Sequence, residues 1–142
     1  MKVEISIGGL VDRVSILSIK LSKIKDPEKL KNIRLEYDML VVSMRQVGIE
    51  VNDDIFRQLQ EINLKLWDIE NDLRSKEAKK QFDDEFIELA RSVYINNDER
   101  AALKRKISID FGSAIIEENE YSQYQNIPYS IDARLLRARA VN

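Results

Sequence analysis

Three successive segments of this chain each carry an apolar seam spaced alternately by three and four residues, and that pattern restricts its fold more than any other feature. The first seam is Leu10, Val14, Leu17, Leu21 and Ile24. The second is Leu30, Ile33, Tyr37, Leu40, Met44 and Val47, and the third is Ile55, Leu59, Ile62, Leu66, Ile69 and Leu73. Such spacing places each set on one stripe of a helix, which is stable only when another helix covers it. The links between the seams are short, so neighbouring helices must fold back on one another. The expected fold is therefore all-α, an antiparallel up-down bundle of four to five helices. Trp67 widens the third stripe and reads as core.

Local signals place the ends. Asp26 precedes Pro27, a capping side chain followed by the residue best tolerated at the first helical position. Gly48 sits where the second helix needs a left-handed end, and Asn52-Asp53 opens the third. Glu61 with Lys65 and Glu70 with Arg74 are acid-first pairs at i,i+4 on its outer face. Residues 3–7, VEISI, alternate, which predicts a short extended lead-in lying against the bundle or pairing with residues 49–51.

A fourth helix starts at Asp83, Asp84 and Glu85, whose charges suit a helix N-terminus. Phe86, Ile87, Ala90, Val93 and Tyr94 form its apolar stripe. Asn96-Asn97, with Glu99 three residues after Asn96, has the spacing of a capping box and predicts a break. A further helix then runs from 97 or 98 to about Phe111, with Leu103, Ile107 and Phe111 facing in. After Gly112 the periodicity stops. The chain thus divides into a bundle, 1–112, and an arm, 113–142, with a short terminal helix after Ser130.

Composition narrows the chemistry. The 142 residues include no Cys and no His, so thiolate chemistry, disulfides, imidazole bases and the commonest metal ligands are all excluded. That leans against an enzyme, and no cofactor is expected. With 25 acidic and 23 basic residues the chain has no excess of positive charge to draw it to nucleic acid or to a membrane surface. No apolar run approaches the roughly 20 residues of a membrane span, and MKVEISIGG lacks the core of a secretory signal. A cytoplasmic protein is expected.

Three groups of residues could carry function. Arg91, Arg100 and Lys104, with Tyr94 and Asn97 between them, could converge on a carboxylate or phosphate, since the arginine fork binds such groups bidentately. The bland alternative is a solvated face paired with nearby acids. Asp84, Glu85 and Glu88 could approach a hard cation, and Glu85 with Glu88 matches the first ExxE pair of the all-α nucleoside triphosphate pyrophosphohydrolases. No ExxD pair follows at a suitable distance, so helix-start acids are the preferred reading and no metal is assigned. In the arm, Arg134, Arg137 and Arg139 accompany Ile131, Leu135 and Leu136. That mixture fits docking on the protein's own bundle or on a neighbouring chain better than it fits nucleic acid.

The segments VEISIGGLVDRVSILSIKLSKI, LKNIRLEYDML, INLKLWDIENDLRSKE and FDDEFIELARSVYINNDERAALKRKI resemble a family of small uncharacterised bacterial and phage proteins. The resemblance covers most of residues 1–110 and implies a helical protein, of a bacterial cell or a phage-infected host. Some members occur near glycosyltransferase or surface-polysaccharide genes. Gly9 stands where the family pattern has an acidic residue, so a capping box on Ser6 is lost. LVDRVSILSIKL is also similar to the first helix of the all-helical chorismate mutases, but Arg13 is its only arginine and matches no catalytic one.

These features imply a non-enzymatic helical-bundle protein that works by binding or assembly. Its partner would be a second copy of itself or another protein held through the arm. The alternative is a small all-α enzyme or sensor for a metabolite bearing phosphate or carboxylate. A third reading, a phage virion or phage-host interaction protein, follows from the resemblance and the arginines of the arm.

Overall fold

The computed structural model describes residues 1–124. It is all-helical: α1 spans Ile7–Lys23, α2 Pro27–Gln46, α3 Asp54–Ala78 and α4 Asp84–Asp110. Among the described residues there is no strand, and no helix is long and apolar enough to cross a membrane. Helix α1 is the axle. It packs against each of the other three, and α3 and α4 also pack against one another. The core joins Leu10, Val11 and Val14 of α1 to Val41 and Met44 of α2, Ile49 of the link, Phe56 and Leu59 of α3, and Ile107 of α4.

Being covered on several sides, α1 buries far more than a seam. Leu10, Val14 and Leu17 are buried as expected, but so are Val11, Asp12, Ser15 and Ile19. The lead-in differs from expectation. Residues 3–5 have no regular secondary structure, and Val3 and Ile5 are exposed rather than laid against the bundle or paired as a strand. The helix instead begins at Ile7, because Ser6 caps it by accepting from the Gly9 amide at 3.0 Å. The Gly8 amide donates to Ser108 Oγ at 2.9 Å and the Ile7 amide to Ser113 Oγ at 3.0 Å. Three serine hydroxyls, two of them from the far end of the chain, thus satisfy the free donors of this terminus.

The local end signals hold. Asp26 accepts from the Glu28 and Lys29 amides with Pro27 inside the helix. Gly48 has φ +88°, and bonds from Gly48 N to Arg45 O and from Ile49 N to Met44 O close α2 as a Schellman motif. Gly112 ends α4 in the same way, at φ +70°.

Helix α4 corrects two expectations. It runs unbroken through Asn96 and Asn97, so there is no fifth helix starting there. Asn96 Nδ2 donates back to Ser92 O at 2.8 Å, and Asn97 Oδ1 accepts from Arg100, so neither side chain is spent on a cap. Its first half is also not core: Ile87 and Tyr94 are exposed, and the only buried residues of α4 are Ile107 and Ser108. Phe111, expected to face in, is exposed. On α3, the predicted Glu61–Lys65 and Glu70–Arg74 ion pairs are not formed among the described residues.

The first part of the arm docks in cis. Residues 113–124 form a strap that doubles back along α4: Glu117 pairs with Lys104 at 3.1 Å, Glu118 with Arg105 at 2.7 Å, and Tyr124 bonds Asp98 and meets the Tyr94 ring edge-on at 5.1 Å. The expected terminal helix and the expected docking residues, Ile131, Arg134, Leu135, Leu136 and Arg137, lie outside the described residues.

Candidate functional site

A carboxylate in the middle of α1 organises the polar interior. Asp12 is only 5 % exposed. Arg100, from α4, grips it with two parallel bonds, Nε to Oδ1 at 2.9 Å and Nη2 to Oδ2 at 2.6 Å. Asn63, from α3, donates to Asp12 Oδ1 at 2.9 Å and to Ser15 Oγ at 2.7 Å, and Ser15 in turn donates to the Asp12 carbonyl at 2.7 Å. Three helices therefore meet at one hydrogen-bonded ionic group. The fork matches the carboxylate in geometry and charge, and its hydrogen bonds to Asp12 raise the Arg100 pKa further above its ordinary value. The site never loses this cation at any ordinary pH.

Above the pair lies a cleft of about 540 Å³ lined by Ile16 of α1, residues of α3 from Asn63 to Arg74, and Asn97 and Arg100 of α4. That volume is in the range of small-molecule sites. Ile16, Leu66 and Trp67 supply apolar wall, and Asn71, Glu70 and Arg74 supply a polar rim. Trp67 is half-buried in this wall rather than sealed in the core. Arg100 Nη1 has only a long, 3.4 Å bond to Asn97 Oδ1, so the fork that holds Asp12 still has a donor left over.

Of the five residues expected to bind an anion, the structure brings two to this cleft, Asn97 and Arg100. Lys104 is drawn away by Glu117, Arg91 lies beside Glu88 at 3.2 Å, and Tyr94 stacks against the strap. The acids Asp84, Glu85 and Glu88 do not gather: Glu85 reaches Lys76 at 3.4 Å and Glu88 reaches Arg91. Among the described residues no group of three or more acids is arranged to hold a metal.

Sequence reasoning missed Asp12, Asn63 and Arg74. The signal for Asn63 was present, since it falls four residues after Leu59 and three before Leu66, on the seam itself. A polar residue there must find a partner when the seam is buried. Asp12, between Val11 and Val14, gave the same hint once α1 is understood to be covered on several sides.

Fold and site together define an all-helical protein in which a buried Asp–Arg pair lies beneath a cleft with an apolar wall and a polar rim. The chain belongs to a family of unknown function, DUF6165, whose model matches residues 1–133. No curated protein and no solved structure matches it.

Proposed function

We propose that the protein is a binding protein, without catalysis of its own, whose α3–α4 cleft takes a small molecule bearing a carboxylate or phosphate. The observation that carries this reading is the floor of the cleft. Arg100 and Asn63 are locked from behind by Asp12 and Ser15, so polar groups facing the cleft are held in place before any ligand arrives. Such preorganisation lowers the ordering cost of binding. The rim guanidinium of Arg74 is exposed and makes no bond or ion pair among the described residues, so it is available to an anion. The up-down order of the helices also belongs to this reading, supported by the short links 24–26, 47–53 and 79–83.

A thermal-shift screen of carboxylates, nucleotides and phosphorylated sugars tests it. A ligand at a hundred times its dissociation constant stabilises the fold by about 2.7 kcal/mol, a shift of several degrees. Arg74→Ala should abolish the shift and leave the unliganded melting point unchanged. A flat screen, or a hit indifferent to Arg74, removes the reading.

Assembly is the second reading, favoured by α2. Leu35, Met39 and Val42 are spaced by four and three residues and are 64 %, 64 % and 54 % exposed, an apolar stripe on the face turned away from the core. A second copy is the occupant this self-complementary stripe suits, through an isologous contact. Light scattering at rising concentration should then show a dimer that Met39→Glu abolishes; a monomer throughout would end this reading.

A further inference from the structure

The charges around the cleft say which ligand it suits. Arg100 is already neutralised by Asp12 at 2.6 Å, so it offers a donor but little net charge. What remains is one carboxylate, Glu70, and one guanidinium, Arg74, on the same rim. They are one helical turn apart, yet they form no ion pair with one another or with any described residue. A dianionic phosphate would meet a single uncompensated cation and an acid beside it, which disfavours it.

Asn63 adds an independent observation. It is 6 % exposed, and both bonds it makes are donated through Nδ2, to Asp12 and to Ser15. Those partners fix the orientation of the amide, because Asp12 can only accept and the Ser15 hydroxyl is already donating to the Asp12 carbonyl. Asn63 Oδ1 accepts nothing among the described residues, and Asn63 lines the cleft floor. Among the described residues no buried side-chain polar atom lacks a partner, so this oxygen is open to water on the cleft side, where a ligand donor can take the water's place.

Resting on the cleft-binding reading above, we infer that the ligand is a zwitterion, with one carboxylate, one ammonium and an apolar body: the chemistry of a free α-amino acid. Arg74 takes the carboxylate, with the spare Arg100 donor and Asn97 beside it. Glu70 and the Asn63 carbonyl oxygen take the ammonium, whose three N–H groups need acceptors and whose charge Glu70 balances. Ile16, Leu66 and the half-buried Trp67 receive the apolar side chain.

Isothermal titration of the intact protein with the natural L-amino acids tests this, followed by the N-acetyl and amide derivatives of any that bind. At least one apolar or aromatic amino acid should bind. Removing either charge should weaken it by about tenfold to a hundredfold, the worth of a hydrogen bond to a charged group. Both rim residues are exposed, so Glu70→Gln and Arg74→Gln should fold normally. Glu70→Gln should erase the penalty for N-acetylation, and Arg74→Gln the penalty for amidation. If a derivative binds as well as the free amino acid, the inference is overturned. If only phosphorylated sugars or dicarboxylates bind, and do so through Arg74, the zwitterion fails while the cleft-binding reading stands. Silence in every arm overturns both.

Discussion

At the scale of single residues, Asp12 is the most exacting position. A carboxylate this deeply buried is tolerated because Arg100 and Asn63 replace the water it has lost. Removing one partner strands the other. Asp12→Ala leaves a guanidinium only 28 % exposed without its counter-charge and is expected to destabilise the fold by about 3 kcal/mol in urea denaturation. Replacing both partners with apolar residues of similar volume, Asp12→Leu with Arg100→Met, should come within about 1 kcal/mol of wild type. If the single and double variants were equally mild, the pair would be solvent-screened and the argument from burial wrong. Lys80 presents the opposite case. It ends α3 at φ +55°, where the Cβ of an L-residue is strained, and Lys80→Gly should raise stability by about 1 kcal/mol in the same assay.

Between elements, α1 and α4 approach closely where they cross at Gly8. A Cβ there would lie 2.0 Å from the Lys104 carbonyl oxygen, which is helix backbone and cannot step aside. Gly8→Ala should therefore push the helices apart and cost about 2 kcal/mol or more, despite the better helix propensity of alanine. The strap depends on charge instead. Hydrogen bonding from Ser6 and Lys104 holds the Glu117 carboxyl below its ordinary value, and Arg105 does the same for Glu118. A depressed folded-state pKa means that the strap's attachment is complete above the ordinary value of 4.5 and is lost as pH falls through the lower folded values. The protection of residues 113–124, taken against the intrinsic exchange rate at each pH, should fall as pH drops through those lower values while the core of α1 stays protected. What could be read from sequence divides along this line. Asp26-Pro27 and Gly48 act on the backbone next to them, so their effect was legible without a fold. The Asn96-Asn97 break was not, because the same side chains can bond within a continuous helix, to the Ser92 carbonyl and to Arg100, and the local pattern does not choose between that and a cap. Gly9 was legible as the loss of a local capping acid. That Glu117, 108 positions later, would approach Gly9 and accept from Ser6 was not.

Over the whole molecule, burial is concentrated at one end. Helix α3 is roughly 37 Å long and α1 roughly 25 Å at 1.5 Å per residue, so α1 is too short to cover the hairpin of α3 and α4 along its length. The burial pattern agrees: α3 has no buried residue after Leu66 and α4 has none before Ile107. The turn of that hairpin is held by Lys76, which bonds Asp83 at 2.9 Å and Glu85 at 3.4 Å, and by Phe82 packed edge-on against Phe86. The acids of these pairs, Asp83 and Glu85, are 52 % and 71 % exposed, so solvent screens them and the contacts stabilise little. The hairpin should accordingly open locally at a free energy below that of global unfolding, as weakly packed units do. Native-state hydrogen exchange should show faster exchange from Glu70 to Ile87 than from Val11 to Leu17. The cleft sits at the junction of the two zones, with Asn63 and Arg100 on the firm side and Glu70 and Arg74 on the side that opens. A ligand spanning it would bind the closed hairpin and not the open one, so it should slow exchange in residues 70–87 and leave the core rates unchanged. Uniform protection throughout the chain would mean instead that the hairpin and the core unfold as one unit, and that the cleft is a rigid feature of the bundle.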